Sequence, residues 1–332
     1  PTCSPAVTLP VPADESRITA LDKTADGIVY AGTSGYAAHL LVGMFHGVTG
    51  MVFDMGVAAG ADRCVAMCCG ATVVAAAVNG PDGGRIVLRD CLPLPFDLIQ
   101  EWHIARKPFT YLGPVAKDQP IIHAVSDATG TAVIGTTSRH LFRTSLTTPA
   151  IEILADVPGR GRVTRDAAGA ILGLEQANAL WRFDPARNRL DRAAIPLPSG
   201  FKTLPTLMWA RDAATGALYT ADADGRLYRL ENNAEFTGPL ARVPYAPVGP
   251  MAVTCDGRLF GFAGEGMARL FCFEPATAAV TDLGVAVSVF ERRRYGYAFA
   301  DAVVGRDGEI VFGEDDDAGH LWLYFPRIRS AR

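Results

Sequence analysis

Asp256–Gly257–Arg258–Leu259–Phe260–Gly261–Phe262 sets the pattern of this chain: a turn pair ending in glycine, then a short apolar run. The glycine can take the positive φ that a tight hairpin needs, and the run has the length of a buried strand. The same device stands at Asp26–Gly27, Thr129–Gly130, Ala168–Gly169, Thr215–Gly216 and Asp307–Gly308, with a weaker copy at Cys69–Gly70. Downstream of Asp256 come Ala268–Pro275 and then Asp282–Val287, two more strand-like runs. Ala179–Pro185 with Arg192–Pro198, and Arg226–Leu230 with Leu240–Pro247, repeat that second half. The turn glycines recur every ~40 to 60 residues, the spacing of propeller blades with loops of variable length. Helical periodicity is confined to Phe96–Ala105, a candidate short helix inserted in the second unit.

The last unit ends early. His320–Pro326 reads as its third strand, and the outer strand is missing. Ala6–Pro12 matches the outer-strand pattern of Ala194–Pro198, so the N-terminal segment is expected to complete the last blade and close the ring. On these residues the chain resembles the seven-bladed β-propeller superfamily: all-β, one domain over residues 1–332, closed by an N-terminal strand. The resemblance covers nearly the whole chain. It holds at the level of architecture, since neither a WD dipeptide series nor a kelch signature is present. Within that superfamily the chain is similar in fold and residue types to polysaccharide lyases and glycoside-cleaving enzymes.

Hydrophobic residues at 49% and charged residues at 20% exclude a disordered chain and imply a large core. The formal net charge of −4 lacks the basic excess of a nucleic-acid binder. No apolar run reaches membrane-spanning length; the longest, Ala66–Val78, is interrupted at Cys68, Cys69 and Gly70. Seven cysteines (Cys3, Cys64, Cys68, Cys69, Cys91, Cys255 and Cys272) form no CxxC pair and are expected to be reduced thiols. With no basic or apolar leader at Pro1–Pro5, the expected location is cytoplasmic, although a removed signal peptide would leave the same start.

Innermost strands of a propeller line a central channel, and the turn glycines give a common register for them. Seven residues before each glycine stand Ala20, Arg63, His123, Arg162, Trp209, Pro250 and Asp301. One step later stand Leu21, Cys64, Ala124, Val163, Ala210, Met251 and Ala302, an apolar set expected between blades. The first set would then face the channel. Arg63, Arg162 and Trp209 are the expected substrate-binding residues, since guanidinium binds carboxylate and indole stacks on a sugar face. Loops at the same end add Arg294, as a further binding residue, with Tyr295 and Tyr297 in the run Phe290–Tyr297, and His140 beside Arg139. His123 or His140 would serve as base and Tyr295 or Tyr297 as acid. Glu314, Asp315 and His320 are weak candidates for a divalent metal in the turn Glu314–His320, whose spacing is not that of an EF-hand; no other cofactor is expected.

The resulting expectation is an enzyme acting at the channel on a carbohydrate or related acidic small molecule. The simplest form is a lyase, with a glycoside hydrolase second. The ligand would be an anionic small molecule or oligosaccharide, with neither nucleic acid nor membrane as partner. The alternative is a non-catalytic propeller, a lectin or a protein scaffold. The polar residues differ from unit to unit, which favours one central site over repeated lectin pockets.

Overall fold

The computed structural model describes residues 6–8, 10–46, 49–92, 108–175, 178–232, 234–288 and 294–328. The candidate helix Phe96–Ala105 lies outside them. The described residues are all-β apart from one short 3₁₀ turn at Ala13–Glu15. Five four-stranded sheets stand as separate blades of a β-propeller. Four are simple meanders over residues 121–156, 164–196, 210–242 and 248–285; the fifth joins three strands of 299–324 to Ala6–Thr8. Residues 17–112 form one continuous eight-stranded sheet, whose two meanders are bridged at Ser34 and Arg63.

Each meander places its first strand innermost. Several of these strands pack side by side: Arg17–Lys23 on Arg63–Cys69, Arg63–Cys69 on Ile121–Ser126, Ile121–Ser126 on Thr164–Arg165, Ala210–Arg211 on Val248–Val253, Val248–Val253 on Phe299–Val304, and Phe299–Val304 on Arg17–Lys23. At the other end of the chain, Ala6–Thr8 runs antiparallel to His320–Tyr324, with Ala6 opposite Trp322 and Thr8 opposite His320.

Burial follows the layers. Second strands such as Leu259–Ala263 and Ile310–Glu314 are buried on both faces, which is why the sequence shows continuous apolar runs there rather than alternation. Outer strands such as Ala150–Asp156 are largely exposed. The core lies between neighbouring sheets: Phe262 stacks on Phe299 at 3.7 Å between ring centres, and Phe312 meets Phe262 edge-on. Leu21, Cys64, Ala124, Val163, Ala210 and Met251 are all buried in such seams.

Six of the turn glycines adopt positive φ, from 67° at Gly130 to 86° at Gly27, Gly169 and Gly308. Gly70 does not, contrary to the sequence expectation. A side chain there would press on the carbonyls of Gly130 and Val73, so close approach of two turns is what requires glycine at this position. Six described cysteines, Cys64, Cys68, Cys69, Cys91, Cys255 and Cys272, are free thiols. Burial pushes Cys64 up to about 12, leaving it a protonated core residue.

Close approach also explains Gly173, which lies opposite Trp181 in the sheet and directly beneath its ring. Trp181 is buried and has no room to withdraw. Gly173→Ala should therefore destabilise the protein by about 1–3 kcal/mol, the usual range for overpacking. Urea denaturation checks this; an unchanged midpoint would contradict the packing described.

Candidate active site

The inner strands do not run straight into the channel mouth. A register shift interrupts the pairing at Ile18/Ala20, Cys64/Ala66, Ile121/His123, Val248/Met251 and Phe299/Asp301, always near the strand's first residues. Such bulges re-aim side chains and are frequent beside functional sites. The seven register positions do not share one environment: Ala20 and Pro250 are buried and do not line the cleft around Arg63, whereas Arg63 is exposed.

Three of the expected residues are brought together. Arg63, His123 and Arg162, from three different blades, line one cleft of about 680 Å³. Its remaining walls are Thr19, Cys64, Val65 and Ile122 from inner strands, Leu174, the connection Gly159–Gly161, and the connection Thr203–Thr206. The volume suits a small-molecule ligand. Arg63 and Arg160 are exposed, and among the described residues neither has a hydrogen bond or ion pair.

Arg162 is differently placed from the expectation of a substrate-binding arginine. Its Nη1 donates to Asp301 Oδ1 at 2.7 Å and its Nη2 to the Ala300 carbonyl at 2.7 Å. Asp301 Oδ2 in turn accepts the Leu21 N–H at 2.8 Å. Arg162 thus ties the segment before Thr164–Arg165 to Phe299–Val304, 139 residues away in the sequence. Farther along the channel, Asp22 accepts the backbone N–H groups of Cys69 (2.6 Å) and Lys23 (2.8 Å). Burial, reinforced by the charge of Asp301, pushes the Asp22 carboxyl up to about 6.

His123 is buried, 8% exposed, at the edge of the cleft. Burial and then the Arg162 cation hold it well below the ordinary histidine value; a hydrogen bond with the Val163 backbone opposes them without winning. Its Nδ1 has no partner among the described residues. That Nδ1 is enclosed by protein, so the neutral imidazole borders the cleft with an unpaired but covered ring nitrogen.

The other candidates lie elsewhere. His140 pairs with Asp156 at 2.8 Å and does not line the cleft. Tyr295 and Tyr297 are exposed at 39% and 45%, also outside its walls. Trp209 is half-buried in a seam with Leu172 and Tyr228, so it packs rather than presenting a stacking face to the cleft. Arg294 donates to the Ala318 carbonyl at 2.7 Å and lies 3.7 Å from Glu314, held away from any ligand. Glu314 is fully buried, taking hydrogen bonds from His320 Nδ1 and Trp322 Nε1, both at 3.0 Å. Asp315 turns instead to Arg17, at 2.8 Å. The three metal candidates thus do not converge, and among the described residues no group of three or more His, Cys, Asp or Glu side chains is placed to hold a metal ion.

Two features escaped the sequence reading. Arg160 falls two residues before the register position and has no counterpart in other units. His39 bridges Glu15 (2.7 Å) and Asp54 (2.8 Å) through its two ring nitrogens. Hydrogen bonds and charge from both carboxylates raise its pKa despite the opposing effect of burial. Like His140 and His320, it is the first residue of a third strand beside a carboxylate, a recurrence visible in the sequence.

No protein-family model matches the chain, and no curated protein matches it. Among solved structures it is similar to a streptogramin B lyase, at 14% identity over 96% of this chain and 97% of that one, with a TM-score of 0.68. It is similar to virginiamycin B lyase from Staphylococcus aureus at 11% identity over 96% and 99%, TM-score 0.69. The WD40 β-propeller domain of Doa1 matches at 8% identity over 97% and 96%, TM-score 0.62. At such identities the likeness is one of fold, and the class it defines is that of β-propeller proteins.

Removing Asp301 would leave the Arg162 cation enclosed without a partner. Asp301→Ala should cost about 3 kcal/mol, and Arg162→Met/Asp301→Leu together less than that single change. A thermal or urea double-mutant cycle measures both; independent, additive effects would contradict the strut between the two segments.

Proposed function

We propose that this protein is a lyase-type enzyme acting on an anionic small molecule in the cleft at its channel mouth. The observation that carries this reading is the convergence of Arg63, Arg160 and His123, a histidine held neutral whose enclosed Nδ1 has no partner among the described residues, on one ligand-sized cavity. Two of the similar solved structures carry lyase names, which adds fold-level support.

In this reading the propeller has seven blades. The eight-stranded sheet counts as two, and Ala6–Thr8 acts as the closing strand of the last. Closure joins the two ends of the chain and fixes the ring that positions the cleft. Deleting Pro1–Pro12 should lower the melting temperature, since the strand paired with His320–Tyr324 is lost and that strand becomes an open edge. An unchanged melting temperature would contradict closure.

The chemistry is proton abstraction beside a carboxylate. Arg63 and Arg160 receive the acid group, which makes the adjacent C–H more acidic. The His123 imidazole takes that proton, the C–H electron pair becomes the new C=C bond, and the C–O bond on the next carbon breaks. The leaving oxygen takes its proton from water at the open mouth, because Tyr295 and Tyr297 do not line the cleft. Arg162 opposes protonation of His123 in the empty site; the charge of the bound anion offsets this, so the base gains strength when substrate is present.

A second reading, a binding propeller, draws on Tyr36, Tyr245, Met267, Tyr295 and Tyr297, exposed between 37% and 83% on connections at the cleft end of the blades. Turnover separates the two. With anionic substrates whose elimination creates an ultraviolet-absorbing conjugated acid, His123→Ala should keep the fold and lose about 100- to 10,000-fold in rate. Wild-type turnover by this variant would overturn the catalytic reading and leave the binding one.

A further inference from the structure

Resting on the cleft reading above, we propose that its ligand class is a carboxylate carried on an apolar body, not a sugar acid. The lining combines charge with an apolar surface. Arg63 and Arg160 are cations without side-chain partners among the described residues, and Arg162 is already neutralised by Asp301. The local charge is therefore positive by two exposed guanidiniums, enough for one carboxylate held by charge-assisted hydrogen bonds.

Five apolar side chains share the lining, Val65, Ile122, Leu174, Leu204 and Pro205, and Thr19, Thr203 and Thr206 supply its hydroxyls. A hexuronate carries a hydroxyl on most ring carbons, and each hydroxyl taken from water needs a partner. The walls supply few. The Thr19 hydroxyl is committed to the Cys64 carbonyl at 2.6 Å and to Ser34 at 2.7 Å. Thr203 and Thr206 sit on the exposed connection at the mouth. Trp209, the one indole that a sugar face would have used, is turned into a seam between blades. An aryl or alkyl group against the aliphatic wall leaves no polar atom unsatisfied, and its burial contributes binding free energy in proportion to its area.

The probes are 3-phenylpropionate, its neutral amide 3-phenylpropanamide, and galacturonate, each titrated calorimetrically into the full-length protein. The expected result is saturable binding of 3-phenylpropionate, with the amide and galacturonate at least about tenfold weaker. Arg63→Ala and Arg160→Ala should each weaken 3-phenylpropionate by about 10- to 100-fold, the usual effect of losing a hydrogen bond to a charged group. Leu204→Asn should weaken it as well while leaving the charge unchanged. Galacturonate binding as tightly as 3-phenylpropionate, with the same dependence on Arg63, would overturn the apolar class while the cleft reading stands. Equal binding of acid and amide, or no binding of any probe, would also overturn it. The turnover of His123→Ala judges the cleft reading independently.

Discussion

The ion pair between Arg162 and Asp301 is the interaction on which the site depends. It joins two distant segments of the propeller through two hydrogen bonds of 2.7 Å, one to the carboxylate and one to the Ala300 carbonyl. Both side chains are mostly buried, at 16% and 15% exposed, so solvent screens the pair little. It also decides which arginines remain for a ligand, by withdrawing Arg162 and leaving Arg63 and Arg160.

The same pair sets the state of His123. A cation held rigidly near a buried imidazole raises the free energy of the imidazolium, and burial acts in the same direction. The result is a histidine held neutral, with an enclosed Nδ1 that has no partner among the described residues. In the proposed lyase reading, the charge of a bound anion offsets that of Arg162 and so couples binding to proton transfer.

Much of the fold was legible in the sequence because propeller repeats write their turns in glycine. Six turn glycines with positive φ, each followed by a strand buried on both faces, fixed the period. The site was legible only in part. Arg63, His123 and Arg162 were found from one register, but Ala20 and Pro250 at the same register are buried away from the cleft, and the bulges in these strands leave no local signature strong enough to read. Partner choice was less visible still. Nothing near Arg162 in sequence announces Asp301, 139 residues away, and nothing near Glu314 shows that it is buried under Trp322 rather than exposed in an acidic turn. Long-range pairing decides whether a charged side chain is a ligand or a strut, and composition and spacing do not contain it.

The account's central claim is that Arg162 and burial keep His123 neutral at the cleft. The most direct test is an NMR pH titration of the imidazole ¹⁵N signals, with the His123 resonances assigned by their loss in His123→Ala. The account predicts that His123 stays neutral from pH 8 down through about 6.5, the ordinary histidine value, and protonates well below it. It also predicts that Arg162→Met moves the midpoint upward. A midpoint at or above about 6.5 in the wild-type protein, unmoved by Arg162→Met, would contradict it.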